Sequence, residues 1–182
     1  MDINDIRIYP DPVLRKVSDP AQEVDDNIRA LIKDMFRIMD EAGGIGLAAP
    51  QIGVPKRIIT VSLNEKNFER LALIDPVIEH SSEATDVMEE GCLSIPGVNA
   101  VVERPSKVVV RGVARSGRLV EISASNLLAR VLQHEIDHLN GVLFIDRLGM
   151  QEKKRVESDL MELVNQNSRI LPASISDAEK LL

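Results

Sequence analysis

The chain has no tryptophan, one tyrosine, three phenylalanines and a single cysteine, and no apolar run approaches the length of a membrane span. Four aromatic rings, Tyr9, Phe36, Phe68 and Phe144, are too few to build a platform for stacking nucleic-acid bases. Positive charge is also short. Against 29 Asp and Glu there are 22 Lys and Arg, a formal charge of -7 that disfavours nucleic acid or anionic membrane as a partner. One cysteine permits no internal disulfide, which suits a reducing compartment. The opening Met1-Asp2-Ile3-Asn4-Asp5 is acidic and polar, unlike a secretory or transit segment, so a soluble cytoplasmic protein is expected.

What is present is an ordinary globular balance, 44% apolar and 28% charged over 182 residues, without repeats, low-complexity tracts or linkers. One domain spanning residues 1–182 is expected. Ile28, Leu31, Ile32, Met35, Phe36, Ile38 and Met39 recur at helical spacing over residues 25–42, with Asp25 or Asp26 as cap and Gly43-Gly44 as stop. Short β-type runs follow at 57–63, 70–74, 98–102, 107–113 and 118–122, the last two joined by a Ser116-Gly117 turn. Helical texture returns at 125–140, stopped by Gly141, and again in a polar segment at 151–165; the tail beyond Pro172 is expected to be loose. Helix, sheet, helix predicts an α+β fold with mostly antiparallel sheets around the second helix, flanked by an N-terminal and a C-terminal helix.

The strongest chemical signal is His134-Glu135-Ile136-Asp137-His138. Residues four apart on a helix share a face, so both imidazoles can reach one metal, with Glu135 close enough to handle a proton of a water beside it. A surface helix carrying two of the chain's three histidines by chance is the bland alternative. A hydrolytic centre needs a third ligand and an open position. The lone Cys92, in Glu90-Gly91-Cys92-Leu93-Ser94, is either that ligand or a small buried hydrophobe. Gly44, Gly46 and Ala49 match a dinucleotide fingerprint, G-x-G-x-x-A, but a helix precedes them and Pro50 blocks a helix after them, so that reading fails on context. Small residues there instead admit a close backbone, such as that of a peptide, with Gln51 as a possible amide donor.

Together, Gly44-Ile45-Gly46-Leu47-Ala48-Ala49-Pro50-Gln51, Glu90-Gly91-Cys92-Leu93-Ser94 and Gln133-His134-Glu135-Ile136-Asp137-His138 resemble the three motifs of the peptide deformylases, in family order. Pro10-Asp11-Pro12-Val13-Leu14-Arg15 resembles the family's opening. The resemblance implies a metallohydrolase that removes the formyl group from the N-terminal formyl-methionine of new polypeptides. It implies that Cys92, His134 and His138 bind one divalent metal, natively Fe(II), with Zn, Ni or Co possible in preparations. Glu135 would be the general base, and the Gln51 side chain and Leu93 backbone N–H would hold the developing oxyanion. The peptide would lie along Ile45-Gly46 and Gly91, its methionine side chain lodged against Ile45, Leu127 and Val131. Around this, Glu90 is expected to orient a ligand histidine, Asp137 to pair with Arg104, and Arg130 to line the pocket with its stem while its head reaches water. In the C-terminal helix Lys153, Lys154 and Arg155 alternate with Glu152, Glu157, Asp159 and Glu162, so ribosome contact there is expected to be weak at most. Asn99 stands where some relatives carry an arginine.

Two rivals remain at this level. A zinc endopeptidase would share the two histidines and take a third ligand from Glu157 or Glu162; a structural zinc would need four ligands, with His80 the only histidine left over.

Overall fold

The computed structural model describes residues 1–63 and 70–168; the expected loose tail lies outside the described residues. Helix α1 (Asp26–Glu41) starts where Asp25, in extended conformation, accepts a 2.8 Å hydrogen bond from the Ile28 N–H. It stops at Gly43, whose φ of +68° a side chain would resist. Seven strands follow: β1 (Gly46–Ala48), β2 (Ile58–Val61), β3 (Leu71–Ser81), β4 (Thr85–Cys92), β5 (Ile95–Pro105), β6 (Lys107–Ala114) and β7 (Leu119–Ser125). Helices α2 (Asn126–Leu139) and α3 (Met150–Ser168) complete the chain.

All strand pairings are antiparallel, in a five-stranded sheet of order β1-β2-β3-β6-β7 and a separate β4-β5 hairpin. This is the expected α+β class. Gly117, at φ +83°, makes the predicted turn between β6 and β7. Two strands run longer than the sequence pattern indicates. Strand β3 continues through Asp75-Pro76 because a register shift between Ile74 and Val77 absorbs the proline, with Asp75 at φ +51°. Strand β5 extends to Pro105.

Alternation along the strands divides the core in two. Leu47, Ile58, Ala72 and Ile74 face α1, where Ile32, Met35, Ile38 and Met39 meet them. Their neighbours Ala48, Ile59, Val61, Leu73, Val108 and Val110 face α2, against Ala129, Val131, Leu132, Ile136 and Leu139. Strand β2 is covered on both faces, so it reads as an unbroken apolar run. A third cluster gathers Val98, Ala100 and Val102 of β5 with Phe144, Leu148, and Val156, Leu160 and Leu163 of α3.

Every residue of α2 from Ala129 to Leu139 is buried, including six polar ones. The helix is held between the five-stranded sheet and the β4-β5 hairpin, so its polar face looks into protein. Helix α3 covers the free edge of β5: the Val101 N–H donates to Glu152 Oε2 (2.8 Å) and Arg155 Nη2 donates to the Asn99 carbonyl (2.7 Å). Side-chain groups thus satisfy an edge that would otherwise be open to another strand.

Leu73 is fully buried in the layer between β3 and α2. Leu73→Ala is expected to cost about 2–5 kcal/mol of unfolding free energy in urea denaturation, by lost transfer energy plus a cavity.

Candidate metal centre

Three elements bring the chemical groups together. A register shift between Glu90 and Cys92 ends β4 in a tight turn, where Cys92 pairs with Ile95. On α2, His134 and His138 stand one turn apart, ring centroids separated by 5.0 Å. Cys92 Sγ lies 3.3 Å from His138 Nε2, and one ligand atom from each of the three residues falls within 4.8 Å of the others. Among the described residues this is the one group of three or more His, Cys, Asp or Glu side chains so disposed. Glu157 and Glu162 lie exposed on α3, and His80 is exposed near the end of β3, so neither rival ligand set is assembled.

The imidazoles differ in their surroundings. His134 Nδ1 lies 2.9 Å from Glu90 Oε2 and its ring stacks on Phe144. Glu90 stays ionised despite burial, because bonds from His134 and Arg104 hold its carboxyl well below the usual range. Despite burial, which acts the other way, hydrogen bonding with Cys92 and Glu90 holds the His134 pKa well above that of a free histidine, so without a metal the ring is charged. Glu90 retains the Nδ1 proton, and a metal would have to displace the one on Nε2. Burial, with the neighbouring charge of His134, holds the His138 pKa well below that of a free histidine, so this ring is neutral. Its buried Nδ1 has no partner among the described residues.

Glu135 is buried with Oε2 unpartnered among the described residues, and burial pushes its pKa up to about 7. It presses on Gly46. A methyl built there would lie 2.8 Å from Glu135 Cδ and 2.9 Å from Val131 Cγ1, inside van der Waals contact of both. Gln51 sits in a 3-10 turn, Ala49–Ile52, entered through Pro50 and closed by Gly53 at φ +75°. The Ala48 N–H donates to Gln51 Oε1 (2.8 Å), which fixes the amide so that Nε2 points at Cys92 Sγ (3.4 Å) and Ser94 Oγ (3.2 Å).

A cleft of about 560 Å³ opens beside this group, lined by Gln51, Cys92, His134 and Glu135 among others. Ile45, Gly46 and Gln51 form one wall, Gly91, Cys92 and Leu93 the second, and Leu127, Val131, His134 and Glu135 the third. Asp137 and Arg104 do not line it. Arg104 instead ties the two walls together: Nε and Nη2 donate to Glu90 (2.6 and 3.0 Å) and Nη1 to Asp137 Oδ2 (2.7 Å). Two members of this network were not anticipated. Arg147 donates to both oxygens of Asp137 (2.6 and 3.1 Å). Arg130 lines the cleft as expected, but its head does not reach water; it is 5% exposed and donates to Glu90 Oε1 (2.9 Å). The signal for Arg130 was its position one turn before His134, on the same face as a histidine that faces Glu90. For Arg147 the sequence offers none.

The donors suit a divalent ion. Deprotonated on binding, a thiolate and two imidazoles would form a borderline-soft set, and one of the histidines has a carboxylate partner at its other nitrogen. A Cys-His-His set with both histidines buried, next to a desolvated glutamate at a cleft, defines the class as a metallohydrolase. Residues 3–154 match the family model "Polypeptide deformylase". The chain is 47% identical to the peptide deformylase of Hydrogenovibrio crunogenus over 168 residues, 91% of this chain and 98% of that one. It is 49% identical to that of Rhizobium meliloti over 158 residues, 86% of this chain and 91% of that one. The solved peptide deformylase of Plasmodium falciparum superposes with a TM-score of 0.85 at 41% identity, covering 90% of this chain and 97% of that one. The chain therefore belongs to the peptide deformylase family, metal-binding hydrolases that remove the N-terminal formyl group from nascent polypeptides. None of its described helices is long and apolar enough to cross a membrane.

Gly46→Ala is expected to abolish most activity while leaving the protein folded, since the added methyl displaces Glu135; steady-state kinetics beside a circular dichroism melt checks both halves. Glu135 also has a pH consequence. A carboxyl whose folded pKa is raised from 4.5 to about 7 makes the folded state bind more protons than the unfolded state between those values, so it lowers stability as pH rises through that window. Glu135→Gln should therefore stabilise the metal-free protein at pH 8 by about 3 kcal/mol at most, the gain vanishing below about pH 4.5. Chemical denaturation of both proteins across that range measures it.

Proposed function

We propose that Cys92, His134 and His138 hold a single divalent metal, Fe(II) in the native enzyme and Zn, Ni or Co in some preparations, making α2 the metal-binding helix around which the sheets are arranged. The observation that carries this reading is the convergence of the three donor atoms within 4.8 Å beside a carboxyl held near neutrality. A cation bound there supplies Lewis acidity and makes water acidic enough to deprotonate near neutral pH.

The protein's own groups account for the rest. Glu135, with one free oxygen and a pKa about 7, takes a proton from the attacking water as its oxygen adds to the formyl carbon. Gln51 Nε2, locked by the Ala48 N–H, donates to the oxyanion that develops, and the Leu93 backbone N–H is the second donor. Glu135 then delivers the proton to the departing nitrogen; the formyl C–N bond breaks, leaving formate and a free amine.

Strand β1 pairs only with β2 at the margin of its sheet, so the edge carrying Ile45-Gly46 is open to the cleft. That favours an extended peptide added along it, opposite Gly91, with the methionine side chain between Ile45, Leu127 and Val131. Residues 1–182 form one catalytic domain working in the cytoplasm. Ribosome docking through α3 is weak at most, because Arg155 is engaged with Glu152 and the Asn99 carbonyl.

Wild-type protein loaded with Fe(II) or Ni(II) is expected to release formate from a formyl-methionyl peptide, and Glu135→Ala to lose at least about 100-fold in kcat. Formate production unchanged in Glu135→Ala would overturn the assignment of the base.

A further inference from the structure

The donor set is split between two separately built parts. Cys92 belongs to the β4-β5 hairpin, whereas His134 and His138 belong to α2. A metal centre tolerates errors of only a few tenths of an ångström, so something must register the hairpin against the helix. Glu90 marks where the two parts meet, two residues before Cys92 and 2.9 Å from His134 Nδ1. Of its other partners, Arg104 lies on β5, so its two bonds to Glu90 stay inside the hairpin. Arg130 comes from the helix.

Arg130 reaches three acceptors on the hairpin. Nη1 donates to Glu90 Oε1 (2.9 Å) and to the Val102 carbonyl of β5 (2.7 Å), and Nη2 donates to the Asp86 carbonyl of β4 (2.7 Å). Both strands and the carboxylate are gripped by one side chain at 5% exposure, one turn before His134. A planar guanidinium has the separately directed N–H groups for this; an ammonium on a flexible stem does not. Other bonds dock the hairpin more generally: Arg104 to Asp137 (2.7 Å) and Gln133 Nε2 to the Pro105 carbonyl (3.0 Å). Neither touches Glu90 from the helix.

We propose that Arg130 is a positioning residue which sets the hairpin's Cys92 in register with the two histidines of α2, by fastening Glu90, Asp86 and Val102 to the helix that carries them. It touches no reacting atom. It acts on the donor geometry through Glu90, and so on how tightly and in what coordination the metal is held. The inference rests on the reading of Cys92, His134 and His138 as the ligands.

The test is a Co(II) titration of metal-free protein against a competing chelator, following the thiolate-to-cobalt charge-transfer band, for wild type, Arg130→Met, Arg130→Lys and Cys92→Ser. Arg130→Met should unfold cooperatively, since Arg104 and Gln133 still dock the hairpin, yet bind Co(II) about 10–100-fold more weakly with a diminished thiolate band. Arg130→Lys, which reaches fewer of the three acceptors, should fall between it and wild type. A folded Arg130→Met with wild-type affinity and band overturns the proposal. Should that variant fail to fold, Arg130→Lys decides: wild-type affinity and band there overturn it equally. Cys92→Ser separates the two levels, since retention of wild-type affinity and spectrum by that variant removes the ligand set itself and the proposal with it.

Discussion

The Glu90 carboxylate is surrounded by donors on every side: Arg104 grips both oxygens, Arg130 adds a bond to one and His134 to the other. Moving a carboxylate out of water costs several kcal/mol, and only short, charge-assisted bonds at nearly all of its lone pairs make that burial tolerable. Removing one partner from such a junction typically costs about 3–5 kcal/mol, because the remaining charges are stranded. The junction links β4, β5 and α2, so the hairpin carrying Cys92 cannot shift on the helix without uncovering it. Asp137, bound by Arg104 and Arg147, extends the same network toward the segment after α2. Three arginines and two carboxylates form a continuous ionic wall behind the histidines.

In front of that wall the chemistry reverses. Glu135 Oε2 is unpartnered among the described residues, and the raised pKa comes from burial, which outweighs the pull of His134 and Arg104. Strand β4 thus sets a fully compensated carboxylate, Glu90, behind His134, while α2 carries the carboxyl with that unpartnered oxygen one residue along. The second costs stability near neutral pH, a trade common at active sites. The absence of a side chain at Gly46 lets β1 approach this carboxyl closely enough to form the cleft wall.

Much of this was legible one residue at a time. Positions 134 and 138 share a helix face by periodicity alone, Asp25 and Gly43 bound α1 through local backbone preferences, and Gly117 marks its turn because the backbone there needs positive φ. Strand limits were less legible where tertiary context overrode local signals. Pro76 would end an isolated strand, but the register shift between Ile74 and Val77 carries β3 past it.

By itself the sequence determined the α+β class, the helix bearing the two histidines and the small-residue run at 43–49, because each depends on spacing within a few residues; Cys92 was assigned as a ligand only through the family resemblance. Only the tertiary structure decided that Cys92 Sγ comes within 3.3 Å of His138 Nε2 and that Gln51's amide is turned toward it. It also decided that the Arg130 head turns inward to Glu90 instead of reaching water. A long charged side chain on a helix normally seeks solvent. Here the β4-β5 hairpin covers that face and offers a carboxylate and two carbonyls in its place, a fact held in contacts 28 to 44 residues apart in the chain.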